Sequence, residues 1–390
     1  MIFAHKGGMI MGHEIFSSYD YISSMSSRGV SYSSDEERRS KERKHDVTSA
    51  ARQKVHKTGK LDPAVDPAID TIRRSLIRFE ATEDKKWRVS VGCPMDIEST
   101  LDSTGSMGDN VDKAIAVLPD TYALASEMLP GYDVQIACGI FGDIVDDFVL
   151  NRPQFEMTAE KIVDYLTRMN PEGEGGDSAE DPQYAMFASA YFTAAYTNRI
   201  GLKGYFFLIT DASMHSRISN DMLKRIFGDN FLEKLHENGY EGDEIPDMQD
   251  VAAKLKETKH AFVIAVEGDS HDRRYWGKWF GTEHVIRVPD TTYLPEIEAA
   301  IIGLTEGTLE PIDLEVWLKN HQVDGGYIDY CQYDLRKVPY GAQRKLEEAS
   351  EYKIPKLGDI FEKKTDLQPC GHENKPLDSP DPKEEDGSWL

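Results

Sequence analysis

The sequence predicts an α/β protein: a doubly wound, mostly parallel central sheet flanked by helices, with an extension at each end. Three observations lead there. Apolar, strand-like runs alternate with segments of helical period between about residues 61 and 305. These runs are continuously apolar, as strands covered on both faces are. Two strand ends lead into short loops rich in oxygen-bearing side chains, where doubly wound sheets bind their ligands.

The elements follow in chain order. Residues 1–60 form an N-terminal arm, rich in serine and tyrosine over 17–34 and charged over 35–60. The 35–60 stretch is net basic on an acidic protein, so the arm is read as flexible or partly helical, or as docking on an acidic partner surface. Residues 61–89 are expected to lead in as helix. Residues 90–305 form the main domain. Within it, Val111, Ala114, Ile115, Leu118, Tyr122, Ala125 and Leu129 recur at helical spacing. Residues 134–141 (VQIACGIF) read as a buried strand, and Ile162, Tyr165, Leu166 and Met169 as a helix. A second strand is 204–210 (GYFFLIT), followed by a helix through Leu223, Ile226, Phe227, Phe231 and Leu235. Residues 261–266 (AFVIAV) and 284–288 supply two more strands. Right-handed crossovers then wind helices over both faces. Residues 306–390 form a C-terminal extension, with helices expected over 314–318 and 344–352 and a mobile acidic tail from Asp366.

Composition narrows the function. The 390 residues are 39% hydrophobic, enough for a sizeable core, and 69 Asp+Glu against 45 Lys+Arg give a net charge of −24. Phosphate repulsion argues against general nucleic-acid binding and favours a protein that uses cations. No apolar run approaches the roughly 20 residues of a membrane span. Near Met1 there is no basic start followed by an apolar stretch and a cleavage site, and four cysteines make no disulfide framework. The expectation is a cytoplasmic, reducing setting. His321, Cys331, Cys370 and His372 lack a tight C-x-x-C pair, which argues against zinc.

The chemistry concentrates in three segments. Asp102, Thr104 and Ser106 lie in a D-x-T-G-S-M loop that leads into the first helix. Thr210 and Asp211 end the GYFFLIT strand. A Gly-Gly loop, Gly175 and Gly176, precedes Asp177, Ser178, Glu180 and Asp181. Such oxygen-only groups suit a hard divalent cation, Mg²⁺ or Mn²⁺. A loop-and-cap cluster without an ion is the plainer reading of Asp102, Thr104 and Ser106 taken alone. Glu180 and Asp181 are read as caps of the helix that follows, since acidic side chains suit an N-terminus. The sequence carries no G-x-S-x-G elbow, Walker phosphate loop or H-E-x-x-H motif.

Together, D-x-T-G-S-M before an amphipathic helix, the Gly-Gly loop and the strand ending in Thr210-Asp211 resemble the metal-ion-dependent adhesion site of the von Willebrand factor A (vWA) domain family. The resemblance covers about residues 90–305. It implies a binding module rather than an enzyme. Mg²⁺ or Mn²⁺ would be held by Asp102, Thr104, Ser106 and Asp211, with Asp177 or Ser178 as the middle ligand. It further implies a protein partner whose Glu or Asp completes the shell, touched by Met107, Gly176 and Ser213. An AAA+ ATPase partner follows by family analogy, and residues 1–60 and 306–390 are expected to add contacts for self-assembly as a homo-oligomer or for a second partner. A metal-dependent hydrolase, with Asp177 or Glu180 as base, and an assembly subunit with a vestigial site stay open. Two features depart from the family. Asp177, Glu180 and Asp181 bring more negative charge than a hydroxyl-rich site has, which would hold the ion more tightly and weaken capture of a partner's carboxylate. The strand before Asp102 reads M-D-I-E-S-T-L, and Asp96 and Glu98 sit badly in a doubly covered sheet. Residues 87–91 (WRVSV) are therefore expected to supply part of that strand.

Overall fold

The computed structural model describes residues 49–69, 71–77, 79–89, 92–173, 179–344 and 360–361. Six strands form the central sheet: β1 (Cys93–Asp102), β2 (Tyr132–Phe141), β3 (Leu150–Asn151), β4 (Gly204–Thr210), β5 (Lys259–Val266) and β6 (Val285–Val288). Their spatial order is β6-β5-β4-β1-β2-β3, with only the β2–β3 pair antiparallel. The flanking helices are α1 (Asp109–Val117), α2 (Thr121–Met128), α3 (Ala159–Leu166), α4 (Gln183–Tyr191), α5 (Asn220–Phe227), α6 (Met248–Thr258), α7 (Ser270–Phe280), α8 (Leu294–Glu306), α9 (Leu314–Asn320) and α10 (Gly325–Leu335). No helix among the described residues is long and apolar enough to cross a membrane.

Two cores lie on opposite faces of the sheet, and the period-2 geometry of a strand assigns residues between them. Tyr205, Phe207 and Ile209 of β4 pack into one core with side chains of α1, α2, α3 and α8. Phe206 and Leu208 pack into the other with α4, α5, α6 and α7. Both faces of the strand are buried, which explains why GYFFLIT is apolar without alternation.

The four expected apolar strands form. Two expected helices divide. Pro119 introduces a 3₁₀ turn between α1 and α2, because proline has no N–H to continue the ladder. Gly228, at φ 90°, ends α5 before a separate helix, Phe231–Glu237. Between 61 and 89 no helix forms among the described residues. Turns and short strands stand there instead, with Arg73–Arg74 pairing with Thr193–Ala194. An ordered helix, Ser49–Thr58, lies at the end of the N-terminal arm, with Ala51 and Val55 buried and Arg52 Nε donating to the Pro171 carbonyl at 3.0 Å. The C-terminal extension is continuous with the domain as far as Val338: Leu309, Leu314, Leu318, Ile328, Cys331 and Leu335 belong to the first core. Asp334 of α10, fully buried, pairs with Arg287 of β6 at 2.7 Å. Residues 345–359 and 362–390, which hold the expected 344–352 helix beyond Arg344 and the acidic tail, lie outside the described residues.

The M-D-I-E-S-T-L segment is the central strand after all: all ten residues of β1 are buried. Trp87–Val89 instead joins Phe79–Ala81 and Ile360–Phe361 in a separate three-stranded sheet. Asp96 and Glu98 tolerate the interior because cations and hydroxyls meet them there. Lys259, at the start of β5, pairs with Asp96 and lies 3.2 Å from Glu98. Arg152 Nη2 lies 2.9 Å from Glu98 Oε2. Ser189 and Thr193 each donate to Glu98 Oε1 at 2.9 Å, and Thr197 donates to Asp96 at 2.6 Å. Burial opposes ionisation of Glu98, yet Lys259 and Arg152 hold its pKa down at about 2.

Candidate metal centre

β1 delivers Asp102 as its last residue, fully buried, at the carboxyl end of the sheet. Ser103 turns the chain there, its N–H and hydroxyl both donating to the Phe141 carbonyl at 2.8 Å. The loop then folds back on Asp102: Oδ1 accepts from the Thr104 N–H at 2.9 Å and the Thr104 hydroxyl at 2.6 Å. Oδ2 accepts from the hydroxyl of Thr210, the last residue of β4, at 2.6 Å. Thr104 Oγ1 lies 3.3 Å from Ser106 Oγ, and the Ser106 hydroxyl donates to Asp211 Oδ1 at 2.9 Å. Asp102, Thr104, Ser106, Thr210 and Asp211 therefore form one connected cluster across two adjacent strands.

The loop bearing Asp211 is pinned from α7. Trp276 Nε1 donates to the Ala212 carbonyl at 3.1 Å. The Tyr275 hydroxyl donates to the Met214 carbonyl at 2.8 Å and accepts from its N–H at 3.1 Å. Ser213–Met214 also pairs in parallel with Ala179–Glu180, so two loops are stitched together above the sheet. On the other side, a Cβ on Gly105 would stand 3.0 Å from the Gly173 carbonyl, which leaves no room for a side chain where these loops meet.

Glu180 is placed by this stitching. The helix α4 has Pro182 at its N-cap position and no side-chain cap, so neither Glu180 nor Asp181 caps it. Asp181 instead accepts from the Ile144 N–H at 2.9 Å. Glu180 is only 3% exposed, lies beside the Thr104 hydroxyl, and its Oε2 has no hydrogen-bond partner. Sequence reasoning misassigned it because the two-residue ladder that turns it inward joins segments more than 30 residues apart.

The other expected residues separate. Met107 is 1% exposed and packs into the first core, so it faces away from any partner; its position in the turn after Asp102 points it inward. Ser213 is partly exposed within the short ladder. Gly176, Asp177 and Ser178 lie outside the described residues.

The electrostatics are one-sided. Burial pushes Asp102 up to about 6, helped by the charge of Asp211 against the opposing hydroxyl bonds. Burial, with Asp102, Asp143 and Asp211, pushes Glu180 to about 8. Asp211 is raised by burial and by Glu267 and Asp272. The strongest charges acting on these three carboxyls are all negative. The hydroxyls of Thr104, Thr210 and Ser106 offer three protons, two taken by Asp102 and one by Asp211. The Thr104 hydroxyl also lies within reach of the Glu180 carboxyl. An all-oxygen cluster, buried at Asp102, Thr104 and Thr210 and open to solvent at Ser106, fits a hard divalent cation held by Asp102, Thr104, Ser106 and Asp211.

A second cluster, Asp269, His271 and Asp272, also brings three ligand-type atoms together, on the surface. Its geometry has a local cause. Asp269 is the N-cap of α7 and accepts from the His271 and Asp272 N–H groups, while Asp272 returns the bond to the Asp269 N–H. Of the zinc-type residues, Cys331 is in the core and His321 packs at a tilt against Trp317 with ring centroids 4.0 Å apart, while Cys370 and His372 lie outside the described residues.

No family model matches the chain, and no curated protein matches it. Among solved structures it is similar to proximal thread matrix protein 1 from the mussel byssus, at 11% identity over 55% of this chain and 48% of that one, with a TM-score of 0.33. It is also similar to the open conformation of the pilus adhesin SpaC from Lactobacillus rhamnosus GG, at 14% identity over 59% of this chain and 34% of that one, with a TM-score of 0.38. The matched region thus spans between a third and a half of each of these proteins.

Proposed function

We propose that this chain is a divalent-cation-dependent protein-binding module of the vWA type. The observation that carries the proposal is the convergence of Asp102, Thr104 and Ser106 with Thr210 and Asp211 at the carboxyl end of the sheet. Mg²⁺ or Mn²⁺ suits this donor set. When bound, the ion supplies an electrophilic point that attracts an anionic group of a partner. The chain's own residues do the rest. Asp102 fixes Thr104 through two hydrogen bonds, and Ser106 ties the first loop to Asp211 of the second. Tyr275 and Trp276 hold that second loop in register. The partner is proposed to be a protein presenting a Glu or Asp, in the cytoplasm; an AAA+ ATPase or a second copy of the chain are partners of that kind.

The test is calorimetric titration of Mg²⁺ and Mn²⁺ into the full chain and into Asp102→Ala/Ser106→Ala. Saturable binding by the wild type alone supports the proposal. Absence of binding by both proteins removes the cation from it.

A further inference from the structure

We propose that the cavity at the amino end of the sheet is a second binding site, one that takes a guanidinium group, as an arginine side chain of a peptide or a small guanidine compound presents it. The inference does not rest on the cation-site reading, and the two sites lie at opposite ends of the sheet.

The cavity has a volume of about 500 Å³, within the roughly 300–1,000 Å³ of small-ligand sites. Its lining includes Tyr191, Asn198, Tyr240, Glu241, Lys254 and Thr258. Thr258 ends α6 and directly precedes β5, which sets the cavity at the amino ends of the strands. Tyr191 is likewise the last residue of α4. Two helices therefore finish at the cavity, and each presents the negative end of its dipole.

The aromatic walls are fixed by the chain itself. The Tyr191 and Tyr240 rings stand 5.5 Å apart at 84°, so they meet as two walls of a corner. Asn238 Nδ2 donates to the Tyr191 carbonyl at 2.7 Å, and the Tyr240 hydroxyl donates to the Glu244 carbonyl at 2.7 Å. Ring faces carry negative potential and attract a cation placed over them. Carboxylates add to that field: Asp247, Asp250 and Glu257 act on Tyr191, and Asp243, Glu244 and Asp250 on Tyr240. Lys254, the cation in the lining, is paired with Glu257 at 3.0 Å. Asn198 adds an acceptor, Oδ1, with no hydrogen-bond partner among the described residues. A guanidinium brings what such a corner attracts: a positive charge, a flat face for a tyrosine ring and N–H donors.

The test is calorimetric titration of the full chain with chelator present. The probes are agmatine, as a free guanidine, and an end-blocked glycine–arginine–glycine peptide. Saturable binding of one or both is expected. Tighter binding of the peptide identifies the source as a protein's arginine, and tighter binding of agmatine as a small guanidine. The same peptide with citrulline, the neutral isostere, is expected to bind about tenfold more weakly. Tyr240→Ala is expected to weaken binding about fivefold, whereas Tyr240→Phe keeps the ring and should bind as the wild type does. Glu241→Gln, at an exposed position, is expected to weaken it about threefold and carries the test should Tyr240→Ala unfold. No saturable binding of either probe overturns the proposal. Binding that Tyr240→Ala leaves unchanged overturns it as well, because the acidic surface alone would then hold the probe, and so does equal binding of the citrulline peptide.

Discussion

Replacing Lys259 by Met tests how a strand bearing Asp96 and Glu98 sits in the middle of the sheet. Lys259 is 1% exposed, and it is the ion-pair partner of Asp96. Glu98 keeps Arg152, Ser189 and Thr193 after the change, so it remains compensated. Asp96 keeps the Thr197 hydroxyl but no cation. One buried carboxylate is thus stranded, and removing one member of a buried pair costs about 3–5 kcal/mol. For a domain of this size each kcal/mol moves the midpoint by roughly 2–4 °C, so a fall of roughly 6–20 °C is expected. Calorimetry or circular dichroism on heating reads it directly. Asp96→Asn/Lys259→Met removes the stranded charge and leaves an amide for Thr197, so it is expected to recover most of the loss. A fall of under about 2 °C for Lys259→Met alone would refute the idea that the ion pair is what admits Asp96 to the interior.

Four further expectations follow from the same geometry. Glu298 is fully buried, accepts from Ser99 and Thr121 at 2.9 Å each, and is pushed up by burial from 4.5 to about 7. Because the folded pKa is the higher one, its contribution is complete below about pH 4.5 and is lost as pH rises through about 7, an amplitude of about 3 kcal/mol. Urea unfolding of Glu298→Gln should show a flatter pH dependence over that window, and an unchanged one would contradict the assignment. Protons would compete with the proposed cation at Asp102, so Mn²⁺ affinity is expected to fall as pH is lowered through about 6, with proton release on binding that two buffers of different ionisation enthalpy would reveal. Tyr275→Phe loses both bonds to Met214, and cation affinity should drop on the order of tenfold with little change in midpoint. Gly204→Ala would place a Cβ 2.7 Å from the Asp96 carbonyl, and overpacking of this kind costs about 1–3 kcal/mol, measurable as a lower urea midpoint.

The strands legible in the sequence were those whose period and apolarity agree with their surroundings. GYFFLIT is buried on both faces and reads so; the loops after β1 and β4 are legible as strand ends because turn chemistry acts over a few residues. β1 did not read correctly, because its cation comes from a residue 163 positions away and its second one from 54 positions away. Local patterning carries no information about such a partner, so M-D-I-E-S-T-L looked like a poor strand. Glu180 is the same case at the site. As a residue just before a helix it reads as a cap, and only the pairing of 179–180 with 213–214 turns it toward Thr104.

What the sequence determined alone is therefore the four apolar strands, the helical segments that cover them, and the placing of Asp102, Thr104, Ser106, Thr210 and Asp211 at strand ends. Those depend on hydrophobic period and turn chemistry, which act over a few residues. The tertiary structure decided which charges are compensated, which carboxylate joins the cluster and which residue beside it is buried. Those outcomes depend on electrostatics and packing between segments brought together only by the sheet, where the low dielectric makes each pairing or absence of pairing count for several kcal/mol.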